Sequence, residues 1–201
     1  MKKFLKLIAV ALVIISVFAA SLTSCGIAEA KYTLGLAAID TDKGQIAALV
    51  LLDDSERIVL CRIDEFDVSK GETRSKKELG DDYGMLSDWG SSLAEWDDQI
   101  AHLERQLIGK TITELAFVKG DDADIKAGCT VYIDNYTRAV AKAAALATEG
   151  NDSFTALGEV TIALTFAVEI PEGGEGYTAV ASGVALERGY LVAQDSIISH
   201  K

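Results

Sequence analysis

A short segment following an acidic loop places a thiol and a hydroxyl side by side. The stretch DIKAGCT runs from Asp124 to Thr130, with Cys129 between a glycine and the threonine and an alanine-rich run close behind. A hydroxyl such as that of Thr130 is a weak nucleophile until a partner activates it. Gly128 allows another backbone to approach, and Asp124 supplies an acid. The segment therefore predicts either an attachment point for a carried group or an ordinary entry into a helix.

Two other motifs suggest phosphate or metal binding only weakly. The sequence from Gly109 to Thr111 lacks the glycine that a phosphate loop needs five positions before Gly109, and Thr111 with Glu114 predicts a helix capping box instead. The acidic run from Asp121 to Asp124 resembles the start of a calcium loop. Lys126 and Ala127, however, occupy the positions where such a loop needs an oxygen ligand and a glycine. We therefore expect no metal site here, but a solvated acidic turn.

Catalytic constellations are incomplete elsewhere in the chain. His102 and His200 are the only histidines, and neither forms a recognisable pair with a cysteine, serine or carboxylate in sequence. The segment KKELGDDYGM, residues 76 to 85, predicts a structured loop. The alternative is a ligand site lined by Asp81, Asp82 and Tyr83. The sequence therefore predicts no catalytic residue, and a non-enzymatic protein is the better interpretation.

The N-terminus predicts export. Three lysines precede an apolar and small-residue run from Leu7 to Ala20, which is the pattern of a signal peptide. The run ends in Leu-Thr-Ser-Cys, which resembles the lipobox of bacterial lipoproteins, in which the cysteine becomes the lipidated first residue. The resemblance implies cleavage after residue 24, lipidation of Cys25 and a location on the extracytoplasmic face of the cell membrane. An uncleaved transmembrane anchor is the alternative, and it also places the remaining chain outside the cytoplasm.

The charge of the mature chain excludes one class of partner. Removing residues 1–24 takes away three Lys and no carboxylate, so the formal charge falls from −12 to −15. Phosphate backbones and anionic head groups would repel such a chain. We expect no nucleic-acid partner, and membrane contact through the lipid alone.

The remaining chain predicts an α+β domain of two antiparallel β-meanders that flank a helical segment. Residues 25–31 form a short tether and residues 32–201 one domain, with meanders over 32–64 and 157–198 and a helical part over 76–148. The order strand, turn, strand, tight turn, strand occurs in both meanders. This similarity suggests a duplication of residues 32–64 in 160–198, with chance similarity as the alternative.

Apolar spacing predicts two helices between the meanders. Leu93, Trp96, Ile100, Leu103 and Leu107 recur every three or four residues, which predicts a helix from Ser91 to Ile108 that Gly109 ends. The other face of this helix would carry Glu95, Asp97, Asp98, Glu104 and Arg105. A second helix is predicted from Asp134, as N-cap, to Thr148. Its buried side would comprise Tyr136, Val140, Ala143, Ala144 and Ala147.

The segment from Asp124 to Thr130 resembles the attachment motif of the FMN-binding domain family. In that motif an Asp is followed by Ser-Gly-Ala-Thr and an amphipathic helix, with the same spacing from acid to threonine as from Asp124 to Thr130. The hairpin LVLLDDSERIVLCRID is also similar to the unit that precedes the motif in those domains. The resemblance implies Thr130 as the acceptor that a flavin transferase joins to FMN phosphate, with Asp124 and Gly128 as motif residues. This chain departs from the motif at Ala127 and Cys129, which replace Ser and Ala.

Two functions remain open from the sequence. The resemblance implies a surface flavoprotein that carries electrons outside the membrane and exchanges them with an envelope redox partner. The alternative is a non-catalytic lipoprotein that binds a ligand or serves as a scaffold and has a degenerate flavin site. Together with the lipobox, the segment KKELGDDYGM and the tryptophan-bearing helix also resemble a group of bacterial surface lipoproteins. After lipidation of Cys25, Cys61 and Cys129 remain, and we expect two separate thiols rather than a disulfide.

Overall fold

The computed structural model describes residues 29–86, 92–150, 152–172 and 176–200. The predicted signal peptide, Cys25 and Ser91 lie outside the described residues. Among the residues that are described, no helix is both long and apolar enough to cross a membrane.

The strands form two antiparallel sheets. Sheet A has the order β3-β2-β1-β4 and sheet B the order β5-β6-β7. The strands are β1 (Ala30–Asp40), β2 (Gly44–Asp53), β3 (Ile58–Asp67), β4 (Ser153–Ala156), β5 (Val160–Glu169), β6 (Thr178–Glu187) and β7 (Tyr190–His200). The predicted α+β class with two antiparallel meanders is confirmed. The proposed duplication remains a prediction.

The helical part of the chain folds into short and long helices. They are α1 (Lys76–Leu79), α2 (Trp96–Leu107), α3 (Ile112–Leu115), α4 (Ala123–Lys126) and α5 (Asp134–Thr148), with 3-10 turns at Val68–Lys70 and Gly80–Tyr83. Thr111 and Glu114 form the predicted capping box at the start of α3. Helix α2 ends at Leu107, where the backbone of Ile108 becomes extended, and Gly109 follows with a φ of +82°.

Sheet A lies between the helices and sheet B. Helix α5 packs on β1 and β2, and α2 packs on β3. On the opposite face β5 contacts β2 and β3 while β7 contacts β1. Strand β2 is consequently buried on both faces from Gly44 to Leu52. Its nearly unbroken apolar sequence, QIAALVLL, suits a strand that is covered on both sides.

Helix α5 agrees with its prediction in range and in buried face. Its last residue is Thr148 as predicted, and the five positions expected on its inner side are all buried. The N-cap assignment was wrong, because Ile133 occupies that position and Asp134 is the first helical residue. A carboxylate in the first turn still interacts favourably with the helix dipole.

Helix α2 is shorter than predicted. It begins at Trp96 rather than Ser91, and Leu93, predicted on its buried face, lies before the helix with 53% of its surface exposed. The cause is local: Glu95 has an extended backbone, and its carboxylate accepts hydrogen bonds from the backbone N–H groups of Met85 and Leu86 at 2.8 and 3.0 Å. Glu95 therefore ties the preceding segment to the start of the helix instead of facing solvent.

Glu104 is the second error on α2. The alternation of charged and apolar residues predicted an outward side chain, but Glu104 is only 6% exposed. Its carboxylate accepts a hydrogen bond from the backbone N–H of Ile63 at 2.7 Å and pairs with Lys77. A strand and a second helix thus supply the partners that allow this charge to be buried.

Strand β4 was not predicted. Its four residues pair with the start of β1, with Ala30 opposite Ala156 and Thr33 opposite Ser153. The stretch is too short to show strand periodicity in the sequence, and β1 supplies the edge that makes it a strand.

The expected pair of separate thiols is confirmed. Cys61 lies on β3 and Cys129 precedes α5, and both are free and buried in the core between sheet A and the helices. Burial raises the pKa of each thiol, because a thiolate loses its hydration there.

We expect both thiols to be unreactive in the folded protein. The thiolate is the reactive species, and burial suppresses it. An aromatic disulfide reagent should therefore release no coloured thiolate from the native lipidated chain and two equivalents after denaturation. A third equivalent would show that Cys25 carries no lipid. Rapid reaction of Cys61 or Cys129 in the native protein would contradict the placement of these side chains in the core.

Candidate functional site

The Asp124–Thr130 segment forms one helical turn followed by a tight bend into α5. Asp124 and Lys126 lie on α4, and the backbone N–H groups of Gly128 and Cys129 both donate to the carbonyl of Ile125, at 3.1 and 2.8 Å. Ile125 is 3% exposed and anchors the turn in the core. The predicted site residues therefore sit on a fixed bend.

Cys129 and Thr130 point in different directions. The Cys129 side chain is completely buried in the core, whereas Thr130 is exposed. The thiol that replaces the alanine of the flavin motif thus adds no bulk beside the hydroxyl at the surface. Ala127 is exposed, so the serine hydroxyl that this chain lacks would have been at the surface.

A single buried side-chain amide accepts hydrogen bonds from two groups of Thr130. The backbone N–H and the side-chain hydroxyl of Thr130 donate to Oε1 of Gln99, at 2.8 and 3.1 Å. Gln99 is 0% exposed, and its Nε2 donates to Oγ of Ser92 at 2.9 Å and to the carbonyl of Ala94 at 2.8 Å. The amide therefore fixes the position of Oγ1 of Thr130 relative to α2.

The ring of His102 explains why residue 128 is a glycine. A Cβ at position 128 would lie 2.3 Å from Nδ1 of His102, so the imidazole ring occupies the space that any other residue would need. Nε2 of His102 lies 2.7 Å from the carbonyl oxygen of Asp124. Since a carbonyl can only accept, Nε2 carries the proton. This glycine admits a ring from α2 rather than the foreign backbone expected from the sequence.

Gln99 belongs to this site although its sequence context did not predict it. Gln99 lies three residues after Trp96 and four before Leu103, so it shares their face of α2. A polar side chain on a buried helical face needs a partner, and that position was a usable signal. The sequence did not indicate that this partner would be Thr130, thirty-one residues away.

The arrangement suits an acceptor rather than a self-activating nucleophile. Among the described residues, the hydrogen-bond partner of the Thr130 hydroxyl is the neutral amide of Gln99, which cannot take up a proton. Asp124 is exposed and contributes its backbone carbonyl to His102. The arrangement therefore holds the hydroxyl in place, and its described partner does not activate it as a nucleophile.

A second polar cluster lies buried between β3, α1 and α5. Nζ of Lys76 is 2.8 Å from Oε1 of Glu65, and each side chain is less than a tenth exposed. The hydroxyl of Tyr136 donates to Oε2 of Glu65 at 2.5 Å and accepts from Nε1 of Trp96 at 3.1 Å. Burial, followed by the charge of Glu65, raises the pKa of Tyr136. The ion pair is buried and connects the helical layer to sheet A.

The structure does not bring Asp81, Asp82 and Tyr83 together as a ligand site. Both aspartates are exposed, whereas Tyr83 is 7% exposed, and its ring centroid lies 5.0 Å from Nζ of Lys76. A capping box between Ser75 and Glu78 starts helix α1, which directly precedes the turn with the two aspartates. The segment is thus ordered as a short helix followed by a 3-10 turn.

The acidic turn before the candidate site is closed by its own hydrogen bond, and a groove lies beside it. Asp122 accepts a hydrogen bond from the backbone N–H of Lys119 at 3.1 Å and closes the turn. Within the described ranges, no group of three His, Cys, Asp or Glu side chains is arranged to hold a metal. A groove of about 410 Å³ lies nearby, lined by Ile108, Gly109, Lys110, Glu114, Phe117, Val118 and Asp122. Thr130 does not line it.

Asp64 gives the buried region a pH dependence. It is 3% exposed, and its Oδ1 accepts from the backbone N–H groups of Glu65 and Lys77 at 2.8 and 3.2 Å. Burial outweighs these bonds and raises its pKa to about 6. The folded state therefore binds this proton more tightly than the unfolded state does, so the stability gained from protonation is complete below about pH 4 and is lost as the pH rises through 6.

Asp64→Asn should remove this dependence and keep the hydrogen-bond acceptor. We expect the free energy of unfolding of the unsubstituted protein to fall by about 3 kcal/mol relative to the variant between pH 3 and pH 7. Urea titrations at several pH values would measure the difference. The exposed Asp42→Asn variant serves as the control. Parallel pH profiles for the Asp64→Asn variant and the unsubstituted protein would contradict the assignment.

No protein-family model matches the chain, and neither a curated protein nor a solved structure is significantly similar to it.

Proposed function

We propose that this chain is an exported lipoprotein, anchored through Cys25 to the extracytoplasmic face of the cell membrane, that carries FMN esterified to Thr130 and transfers electrons. The observation that supports it is the division of roles at the end of the motif: Thr130 is exposed and positioned by Gln99, and Cys129 is turned into the core. The flavin would supply the redox chemistry, and the chain would supply the point of attachment.

The two departures from the family motif have unequal weight in this arrangement. Cys129 faces the interior, so a transferase that approaches Thr130 from solvent would not meet its sulfur. Ala127 is on the surface and lacks a hydroxyl that the transferase could contact. We therefore expect Ala127 to limit the rate of attachment and Cys129 to have little effect on it.

A different observation favours the second candidate, a non-catalytic surface lipoprotein with a degenerate flavin site. Gly128 accommodates the ring of His102, and Thr130 satisfies a fully buried glutamine. Both motif residues therefore have structural roles that require no flavin. This candidate predicts that they persist in a protein that is never modified.

Co-expression with a flavin transferase separates the two candidates. The full chain, exported and purified with its lipid, should be yellow, and the colour should survive denaturation because the phosphoester is covalent. Intact mass should show one FMN, and Thr130→Ala should abolish both signals. Thr113→Ala, which removes an exposed threonine on α3, is the matched control and should leave both unchanged.

A colourless protein with the mass of the lipidated chain alone would reject covalent attachment. Titration of that protein with free FMN would then test non-covalent binding. The variant Ala127→Ser restores the missing hydroxyl of the motif. If the transferase reads that position, the variant should raise the flavinylated fraction, whereas Cys129→Ala should not.

A further inference from the structure

The start of β1 and the turn between β6 and β7 lie at the same end of the molecule. Ala30 pairs with Ala156, the last residue of β4, and Leu157 follows directly. The backbone N–H of Leu157 donates to Oε1 of Glu187 at 2.8 Å, and that of Arg188 donates to the carbonyl of Glu159 at 3.4 Å. We call this region the anchor end; it comprises Ala30, the Ala156–Leu157 segment and the β6–β7 turn.

The anchor end displays large apolar side chains to solvent. Leu157 is 53% exposed, Tyr190 78% and Leu191 55%. Tyr190 pairs with Glu187, the residue that accepts from Leu157, so Leu157, Tyr190 and Leu191 cluster at the same end of the molecule. Leucine and tyrosine side chains exposed together at one end favour contact with an apolar surface.

The tether limits how far this cluster can be from a lipid on Cys25. Ala30 is the fifth residue after Cys25. A chain of that length spans at most about 18 Å when fully extended. Because Ala30 is next to the Ala156–Leu157 segment, the lipid and the apolar cluster are confined to the same side of the molecule.

We infer that the anchor end rests on the bilayer, with Leu157, Tyr190 and Leu191 inserted at the membrane interface. The inference relies on the proposed lipidation of Cys25, and it replaces the expectation that the lipid alone makes contact. Tyrosine suits this zone because its ring is apolar and its hydroxyl remains hydrated. The described neighbours include Glu159 and Glu187 beside Arg188, so the contact is apolar and does not depend on anionic lipids.

This orientation also bears on the distance between Thr130 and the membrane. The carboxyl-terminal end of α2 lies by the start of β3, where the N–H of Ile58 donates to the carbonyl of Lys110 at 3.0 Å. Gln99, which holds Thr130, is about 12 Å farther along the helix from Leu107. The candidate acceptor is therefore held by a part of α2 that lies farther from the anchor end than Leu107 does.

Fluorescence quenching in vesicles tests the orientation. The full lipidated chain with Glu159→Cys would carry a fluorophore at the anchor end, and Asp42→Cys would carry it on the β1–β2 turn, at the other end of β1. Cys61 and Cys129 are buried and should stay unlabelled. In phosphatidylcholine vesicles containing a nitroxide-labelled lipid, the label at 159 should lose most of its emission and the label at 42 should retain it. Equal emission from both would overturn the inference.

A charge variant separates apolar insertion from proximity caused by the tether. Replacing the three exposed residues together (Leu157→Asp, Tyr190→Asp and Leu191→Asp) in the Glu159→Cys chain should restore emission while the protein remains on the vesicles. Persistent quenching would mean that the tether alone holds the label near the lipid, and would reject insertion. Stronger quenching when phosphatidylglycerol replaces part of the phosphatidylcholine would also reject an apolar contact.

Loss of the lipid on Cys25 can be detected separately from loss of membrane insertion. An intact mass without the lipid, together with no sedimentation with vesicles, would reject both the lipidation and the inference. A lipidated chain with no quenching at position 159 would reject the inference alone. Absence of flavin would affect neither result.

Discussion

Lys76→Met is expected to lower the free energy of unfolding by about 3–5 kcal/mol, because it leaves the Glu65 carboxylate buried without its counter-ion. Nζ of Lys76 is 2.8 Å from Oε1 of Glu65, and both side chains are less than a tenth exposed. The ammonium group also lies 5.4 Å from the ring centroid of Trp96. Methionine keeps most of the apolar stem, so the loss would report the charge. Chemical denaturation at pH 7 would measure it.

Two further variants make this result interpretable. Adding Glu65→Gln to Lys76→Met removes the second charge and should recover most of the loss. Arg57→Met breaks an ion pair with Glu114 in which both side chains are about half exposed, and should cost less than about 1 kcal/mol. A Lys76→Met protein as stable as the Arg57→Met protein would mean that the buried pair is hydrated in solution.

Gly35→Ala is expected to destabilise the fold by about 3 kcal/mol, near the upper end of the usual cost of overpacking. A Cβ on Gly35 of β1 would lie 2.2 Å from the carbonyl oxygen of Ala143 and 2.7 Å from Cβ of Ala147. The first of these atoms belongs to the backbone of α5, which a rotamer change cannot move. The helix would have to shift away from β1, and the alanine-rich interface would lose its close packing.

Gly120→Ala is the matched control for this prediction. At that position the nearest atom to a new Cβ is Cγ1 of Ile133 at 3.6 Å, an ordinary contact. The substitution should change stability by no more than about 0.5 kcal/mol. Differential scanning calorimetry of both variants would compare them under identical conditions. An equal effect of the two substitutions would mean that α5 does not pack against β1 as closely as described.

The sequence predicted the elements whose periodicity reflects their own burial. Helix α5 shows its inner face through alanines and a valine at helical spacing, and β2 is apolar throughout because both its faces are covered. Glu95 and Glu104 could not be placed from α2 alone. Their partners come from the Met85 region, β3 and α1, so their burial is a property of the tertiary structure.

The candidate site was predictable to a similar extent. The segment from Asp124 to Thr130 predicted an entry into a helix, and in the structure it lies between the short helix α4 and α5. It could not show that Cys129 turns inward, because a single cysteine between small residues has no periodicity. Nor could it show that Gln99 and His102, more than twenty residues earlier, hold the bend in place.

The pairing of β4 with β1 has a consequence for the order of assembly. Each three-stranded meander can form from contacts close in sequence, but sheet A is complete only when residues 153–156 return to residues 30–33 across the whole helical part. Closing such a long loop is entropically costly and typically slow. During synthesis, the first half of the protein would therefore wait with one edge of β1 unpaired. That exposed edge is the point at which nascent chains could associate with one another before β4 arrives.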